Sequence, residues 1–112
     1  MKWPAFVEVR GYAADWAAAR LGDEALRELQ TQLAANPAAG SAVPDAGGAR
    51  KLRIAASGRG KRGGARVWFA AFPERGWVLL LAGYAKNERD DLSAAERRGL
   101  AAALVRFRKG LE

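Results

Sequence analysis

Residues 77–82 read Trp-Val-Leu-Leu-Leu-Ala, an apolar run with no polar interruption. Side chains of a strand alternate between its two faces, so a strand of this composition must be covered on both. In a chain of 112 residues it can only be the central strand of one modest core. Two neighbours for it precede it in the sequence. Residues 65–72 place Val67, Phe69 and Ala71 on one face and Arg66, Trp68 and Phe72 on the other. Residues 50–56 place Leu52 and Ile54 on one face and Lys51 and Arg53 on the other. The turns between them, Ser57 to Gly64 and Pro73 to Gly76, are short, which favours an antiparallel meander.

The flanks read as a short strand followed by helices. Phe6 to Val9 suits a first strand, and an Ala-rich stretch from Tyr12 to Leu21 suits a helix. Gly22-Asp23 breaks it, with Asp23 as N-cap of a second helix whose apolar stripe is Leu26, Leu29 and Leu33. Asn36-Pro37 ends that helix, and residues 36–49 read as a loop. Ser93 and Glu96 form a capping box for a last helix lined by Leu100, Leu104, Phe107 and Leu111. The expected fold is a single α+β domain over residues 1–112, ordered β-α-α-β-β-β-α. It has a small antiparallel β-sheet, two N-terminal helices and a C-terminal helix, with the helices packed on one sheet face.

The chain has no cysteine and no histidine. Thiolate nucleophiles, disulfides and every Ser–His arrangement are therefore excluded, and any catalysis falls to Lys, Arg, Asp, Glu, Tyr, Ser or water. No metal or other cofactor is expected. No apolar run of about 18 residues exists, and the N-terminus lacks the apolar core of a secretion signal, so the expected location is the cytoplasm with no membrane contact.

The formal net charge of +7 is concentrated in one region. Between Ala46 and Pro73 there is no acidic residue, while Arg50, Lys51, Arg53, Arg59, Lys61, Arg62 and Arg66 all fall there, leaving 12 basic against 12 acidic residues elsewhere. Such clustering marks a polyanion site. Gly58 to Gly63 satisfies G-x-G-x-x-G, but a strand follows where a dinucleotide fold needs a helix. A P-loop fails too, since Ala55 and Arg62 occupy the positions of its first glycine and its Ser/Thr. The glycines instead allow close backbone approach, and Arg59, Lys61 and Arg62 suit phosphate contact or docking to a larger RNA surface.

Lys51 and Arg53 share a strand face that Arg66 can join. Three convergent cations repel each other and call for an anion; a scissile phosphodiester is one, and the alternative is a solvated cationic outer face. Trp68 and Phe72 lie on Arg66's side of its strand. Phe72 suits packing beneath a helix, whereas Trp68 suits either packing or stacking on a base. The segment Gly83 to Arg89 follows the central strand and brings Lys86, Asn87 and Glu88 to its end. Lys86 and Glu88 are candidate acid/base groups, with Glu88 equally suited to holding an arginine by an ion pair. Asp90 and Asp91 precede the last helix, where acids are favoured by its dipole.

The ordered motifs carry a resemblance. Leu29-Gln30, Leu33, Asn36-Pro37 and Gly40 are followed by Gly47-Gly48-x-Arg50-Lys51-Leu52-Arg53, then Gly58-x-Gly60-Lys61-x-Gly63-Gly64-x-Arg66-Val67. Tyr84-x-Lys86-Asn87-Glu88 and Asp91-Leu92-Ser93 complete the string. It resembles the HigB branch of the RelE/ParE toxin superfamily of type II toxin–antitoxin systems. The resemblance implies a compact antiparallel sheet flanked by helices and a ribosome-dependent messenger-RNA endoribonuclease that arrests translation. It also implies a cognate antitoxin, expected to be a small helix-turn-helix protein. By position, Lys51 and Arg53 resemble phosphate-binding cations, Arg66 resembles the arginine that stabilises the transition state, and Lys86, Asn87 and Glu88 fall in a further active-site cluster.

Together these readings give a catalytic set of Arg53, Arg66, Lys86 and Glu88, and an RNA-binding set of Arg50, Lys51, Arg59, Lys61, Arg62, Trp68 and Asn87. The expected chemistry is metal-independent attack of a ribose 2′-hydroxyl on the adjacent phosphate, with Lys51, Lys86 or Glu88 as base. The alternatives are a non-catalytic RNA- or ribosome-binding module and a gyrase poison of the same fold.

Overall fold

The computed structural model describes residues 5–8, 22–54, 64–85 and 91–111. In chain order these form β1 (Ala5–Glu8), α1 (Gly22–Ala35), β2 (Ser41–Ala42), β3 (Arg50–Ile54), β4 (Ala65–Phe72), β5 (Trp77–Ala85) and α2 (Ala94–Leu111). The expected helix over 12–21 lies outside the described residues, so one N-terminal helix is described. No helix among the described residues is long and apolar enough to cross a membrane.

The strands make one sheet in the order β1-β5-β4-β3-β2. β2 to β5 are antiparallel neighbours, in keeping with the meander. β1 runs parallel to β5, with Ala5 opposite Trp77 and Glu8 opposite Leu80, so the sheet is mixed and not antiparallel throughout. The reason is connectivity: β3, β4 and β5 follow one another through short connections, which favour antiparallel pairing, whereas β1 and β5 are far apart in the chain and no short connection sets their direction.

Helices cover both sheet faces, not one. Leu29 and Leu33 of α1 pack with Leu52, Ile54, Val67, Phe69, Val78 and Leu80. On the opposite face Trp68, Ala70, Phe72, Leu79 and Leu81 pack with Leu100 and Leu104, and Phe107 and Leu111 of α2 close the far end. From Val67 onward β4 is apolar on both sides and β5 carries no charged side chain, so a single helical layer would leave one apolar face wet. Full burial of each leucine contributes about 2 kcal/mol.

β5 runs on to Ala85, three residues past its expected end, and carries a bulge. Trp68 pairs with Ala82 but Phe69 pairs with Leu80, which leaves Leu81 as the extra residue. The bulge exchanges the faces of β5 at that point. Leu79 and Tyr84, five residues apart, therefore join the same cluster on the α2 side.

α1 begins at Gly22, so Asp23 stands in the first turn, not ahead of it, and acids are favoured there too. It ends before Asn36-Pro37 as expected. The loop of residues 36–49 is more ordered in its packing than its composition suggests. Ser41 and Ala42 pair with Lys51 and Arg50, and Val43, Ala46 and Ala49 are buried in the α2-side core. Gly40, at φ 82°, passes so close to β3 that a Cβ would lie 2.5 Å from the Lys51 carbonyl oxygen. The Ser93–Glu96 capping box is formed: the Glu96 N–H donates to Ser93 Oγ at 3.1 Å and the Ser93 N–H to Glu96 Oε1 at 2.7 Å.

Candidate functional site

The β3–β4 register puts Arg53 directly opposite Arg66, and Arg66 is in turn opposite Tyr84 of β5. One pleat away the row is Lys51, Trp68 and Ala82. Lys51, Arg53 and Arg66 thus share one sheet face, the face that α2 covers further along. α2 lies with Arg97 over Trp68, ring centroid to Cζ 5.8 Å, and with Phe107 against Phe72 at 5.5 Å between rings. The Arg53–Arg66 row lies one pleat beyond Trp68.

Opposed residues of an antiparallel pair have Cβ atoms about 5 Å apart, and like charges there are destabilising. Among the described residues neither Arg53 nor Arg66 has a salt bridge to relieve this. Arg53 is exposed and Arg66 half-buried. The Nε of Arg66 is shut off from water and has no hydrogen-bond partner among the described residues. A buried donor left unpaired costs about 1–3 kcal/mol, so the site is built at the expense of stability.

Lys51 is held differently. Its Nζ is 3.5 Å from Asp91 Oδ2 and 5.3 Å from the Trp68 ring centroid. The same Asp91 oxygen accepts a 2.7 Å bond from Arg97, and Asp91 Oδ1 accepts one from the Leu92 N–H at 2.8 Å. Burial alone would raise the pKa of this carboxyl group. The Leu92 N–H and the charges of Lys51 and Arg97 outweigh burial and hold it below the ordinary aspartate value.

Two residues expected to bind RNA are placed elsewhere. Trp68 is 0% exposed and its indole N–H donates to the Tyr84 hydroxyl at 3.1 Å. A ring with no free face cannot stack on a base; beneath two cations and a helix, it is core. Arg50 is paired with Phe69, whose side chain belongs to the α1-side core, so it points away from Lys51 and Arg53. Its guanidinium donates to the carbonyls of Ala38, Ala39 and Gly40 at 2.7, 3.1 and 2.9 Å, fastening the chain just after α1. Strand alternation separates Arg50 from its neighbours in sequence.

Ile54 pairs with Ala65 and Ala65 with Ala85, so the end of β3, the start of β4 and the end of β5 meet beside the Arg53–Arg66 row. The segments carrying Arg59, Lys61 and Arg62, and Lys86, Asn87 and Glu88, join the sheet at this edge and lie outside the described residues.

A family model described as the RelE toxin of the RelE/RelB toxin–antitoxin system matches residues 12–109. The chain belongs to this family. Every candidate site residue falls inside the matched span, and membership implies an antitoxin partner. In this RelE-family chain Tyr84, Asp91 and Arg97 also belong to the cationic face, and sequence reasoning did not place them there. Arg97 was detectable: it stands three residues before Leu100, on the core-facing stripe of α2, where a cation is out of place unless it has a task. Tyr84 was hidden by the bulge, and Asp91 passes for an ordinary acid ahead of a helix.

Proposed function

We propose that this RelE-family toxin is of the HigB branch and is a ribosome-dependent messenger-RNA endoribonuclease. The observation that carries the reading is the Arg53–Arg66 pair: two guanidinium groups directly opposed, without an acidic partner among the described residues, one holding a buried donor with nothing to bond. A phosphodiester oxygen supplies what the pair lacks.

In the proposed reaction the ribose 2′-oxygen attacks the adjacent phosphorus and the bond to the 5′-oxygen breaks, leaving a 2′,3′-cyclic phosphate and a 5′-hydroxyl. A base takes the 2′-hydroxyl proton and an acid protonates the departing 5′-oxygen. Arg53 and Arg66 stabilise the charge that builds on the phosphorane; one such contact is worth about 10²–10³ in rate. Lys51 is committed to Asp91, which leaves Lys86 and Glu88 as candidates for proton transfer. General base catalysis adds only about 10²–10⁴, so the ribosome's alignment of the RNA bears much of the burden. Arg59, Lys61, Arg62 and Asn87 are assigned to RNA contact, and the antitoxin to a small helix-turn-helix protein that covers the cationic face.

The test is purified toxin added to messenger RNA with and without translating ribosomes, with transcript ends mapped. Cuts that require translation support the reading. Efficient cutting of naked RNA removes the ribosome from it. Steeply salt-dependent binding without product favours a non-catalytic module, and DNA breaks with intact transcripts favour a gyrase poison.

A further inference from the structure

Among the described residues, every salt bridge to the cationic face ends on Asp91. Its carboxylate is anchored from the helix side. Leu92, whose N–H it accepts, is 6% exposed and packed in the core, and the capping box fixes the start of α2 just after it. Arg97, from the first turn of α2, grips the same carboxylate. The rigid part of this network is therefore Leu92, Asp91 and Arg97, and the flexible part is Lys51, whose four-carbon stem has many rotamers to lose.

An exposed ion pair contributes little to stability, typically about 0–1 kcal/mol. Here the side chains of Lys51, Asp91 and Arg97 are 25%, 36% and 38% exposed. Stability is a weak reason for such a network, but geometry is a strong one. Asp91 on one side and the Trp68 ring on the other leave the Lys51 ammonium one pleat from the Arg53–Arg66 row. That separation suits the phosphate next to the scissile one.

We infer that Asp91 is a positioning residue: braced by Arg97, it holds Lys51 on Trp68 to receive a flanking RNA phosphate. This rests on the nuclease reading above and deepens it. Asp91 touches no substrate, and its effect passes through Lys51.

The test is a double-mutant cycle on ribosome-bound messenger RNA, comparing the wild type with Lys51→Ala, Asp91→Asn, the double variant and Asp91→Glu, each with its unfolding midpoint. Lys51→Ala and Asp91→Asn should each raise the toxin concentration for half-maximal cleavage roughly tenfold, within the range for residues in contact. The saturated cleavage rate should stay close to wild type. The double variant should be no worse than Lys51→Ala, and Asp91→Glu, which keeps the charge, should recover part of the loss. An undiminished Asp91→Asn effect in the Lys51→Ala background overturns the inference, as does a loss that disappears once the assay temperature is lowered below the variant's unfolding range. Wild-type toxin that leaves ribosome-bound messages intact removes the nuclease reading itself, and the positioning role with it.

Discussion

Arg53 and Arg66 face each other across β3 and β4 on the same side of the sheet, a like-charged pair at a directly opposed position. A strand pair selected for stability alone would place opposite charges or apolar groups there. The pair makes sense when an anion arrives between the two guanidinium groups.

Relieving that repulsion should stabilise the protein and disable it. Arg53→Glu places a carboxylate opposite Arg66 and is expected to raise stability by roughly 0.2–1 kcal/mol, while growth arrest on induction is lost. Denaturant midpoints and a growth assay check the two halves together; a destabilised Arg53→Glu would mean the arginines are not in conflict.

Trp68 should behave as core. Trp68→Phe gives up the bond to Tyr84 and part of the packing under α2, at a cost of about 2 kcal/mol. RNA affinity of the folded variant should stay close to wild type, since the ring has no face to offer a base and phenylalanine keeps an aromatic ring beneath Lys51. Chemical denaturation and a binding titration separate the outcomes.

Arg50 should likewise prove structural. Arg50→Ala removes three bonds to the carbonyls of Ala38, Ala39 and Gly40, two of them exposed to water, and is expected to cost about 1 kcal/mol. Arg50→Lys should not restore it, because an ammonium lacks the planar fork that reaches three acceptors. The salt dependence of RNA binding should stay as in wild type.

Asp91 couples stability to pH. Its pKa is lowered on folding, so the unfolded chain binds this proton more readily than the folded one. Asp91 thus contributes stability above its unfolded pKa, and the contribution is lost as pH falls through the lower folded value. The stability gap between wild type and Asp91→Asn should be largest near neutrality and close in acid, as read from unfolding curves at several pH values.

The strands that build the site were legible because period-two alternation survives in Lys51, Arg53 and Arg66. The same rule, applied one residue earlier, would have set Arg50 on the other face; the density of charge obscured it. The run Trp-Val-Leu-Leu-Leu-Ala identifies an interior strand but has no polar residue to mark a face, so neither the bulge at Leu81 nor the place of Tyr84 could be read from it. Long-range pairing was out of reach for a similar reason: no local pattern announces that β1 lies parallel to β5. The loop before β3 hid its contribution because Val43, Ala46 and Ala49 are small and widely spaced among turn residues. Trp68 showed only that it shares a face with Arg66, and α2, which buries it, comes from the far end of the chain.

The most direct test is the rate at which Arg66→Ala toxin cuts messenger RNA on translating ribosomes. With the fold and antitoxin binding intact, the rate should fall by about 10²–10³. Cleavage at the wild-type rate would show that the opposed arginines do not hold the scissile phosphate.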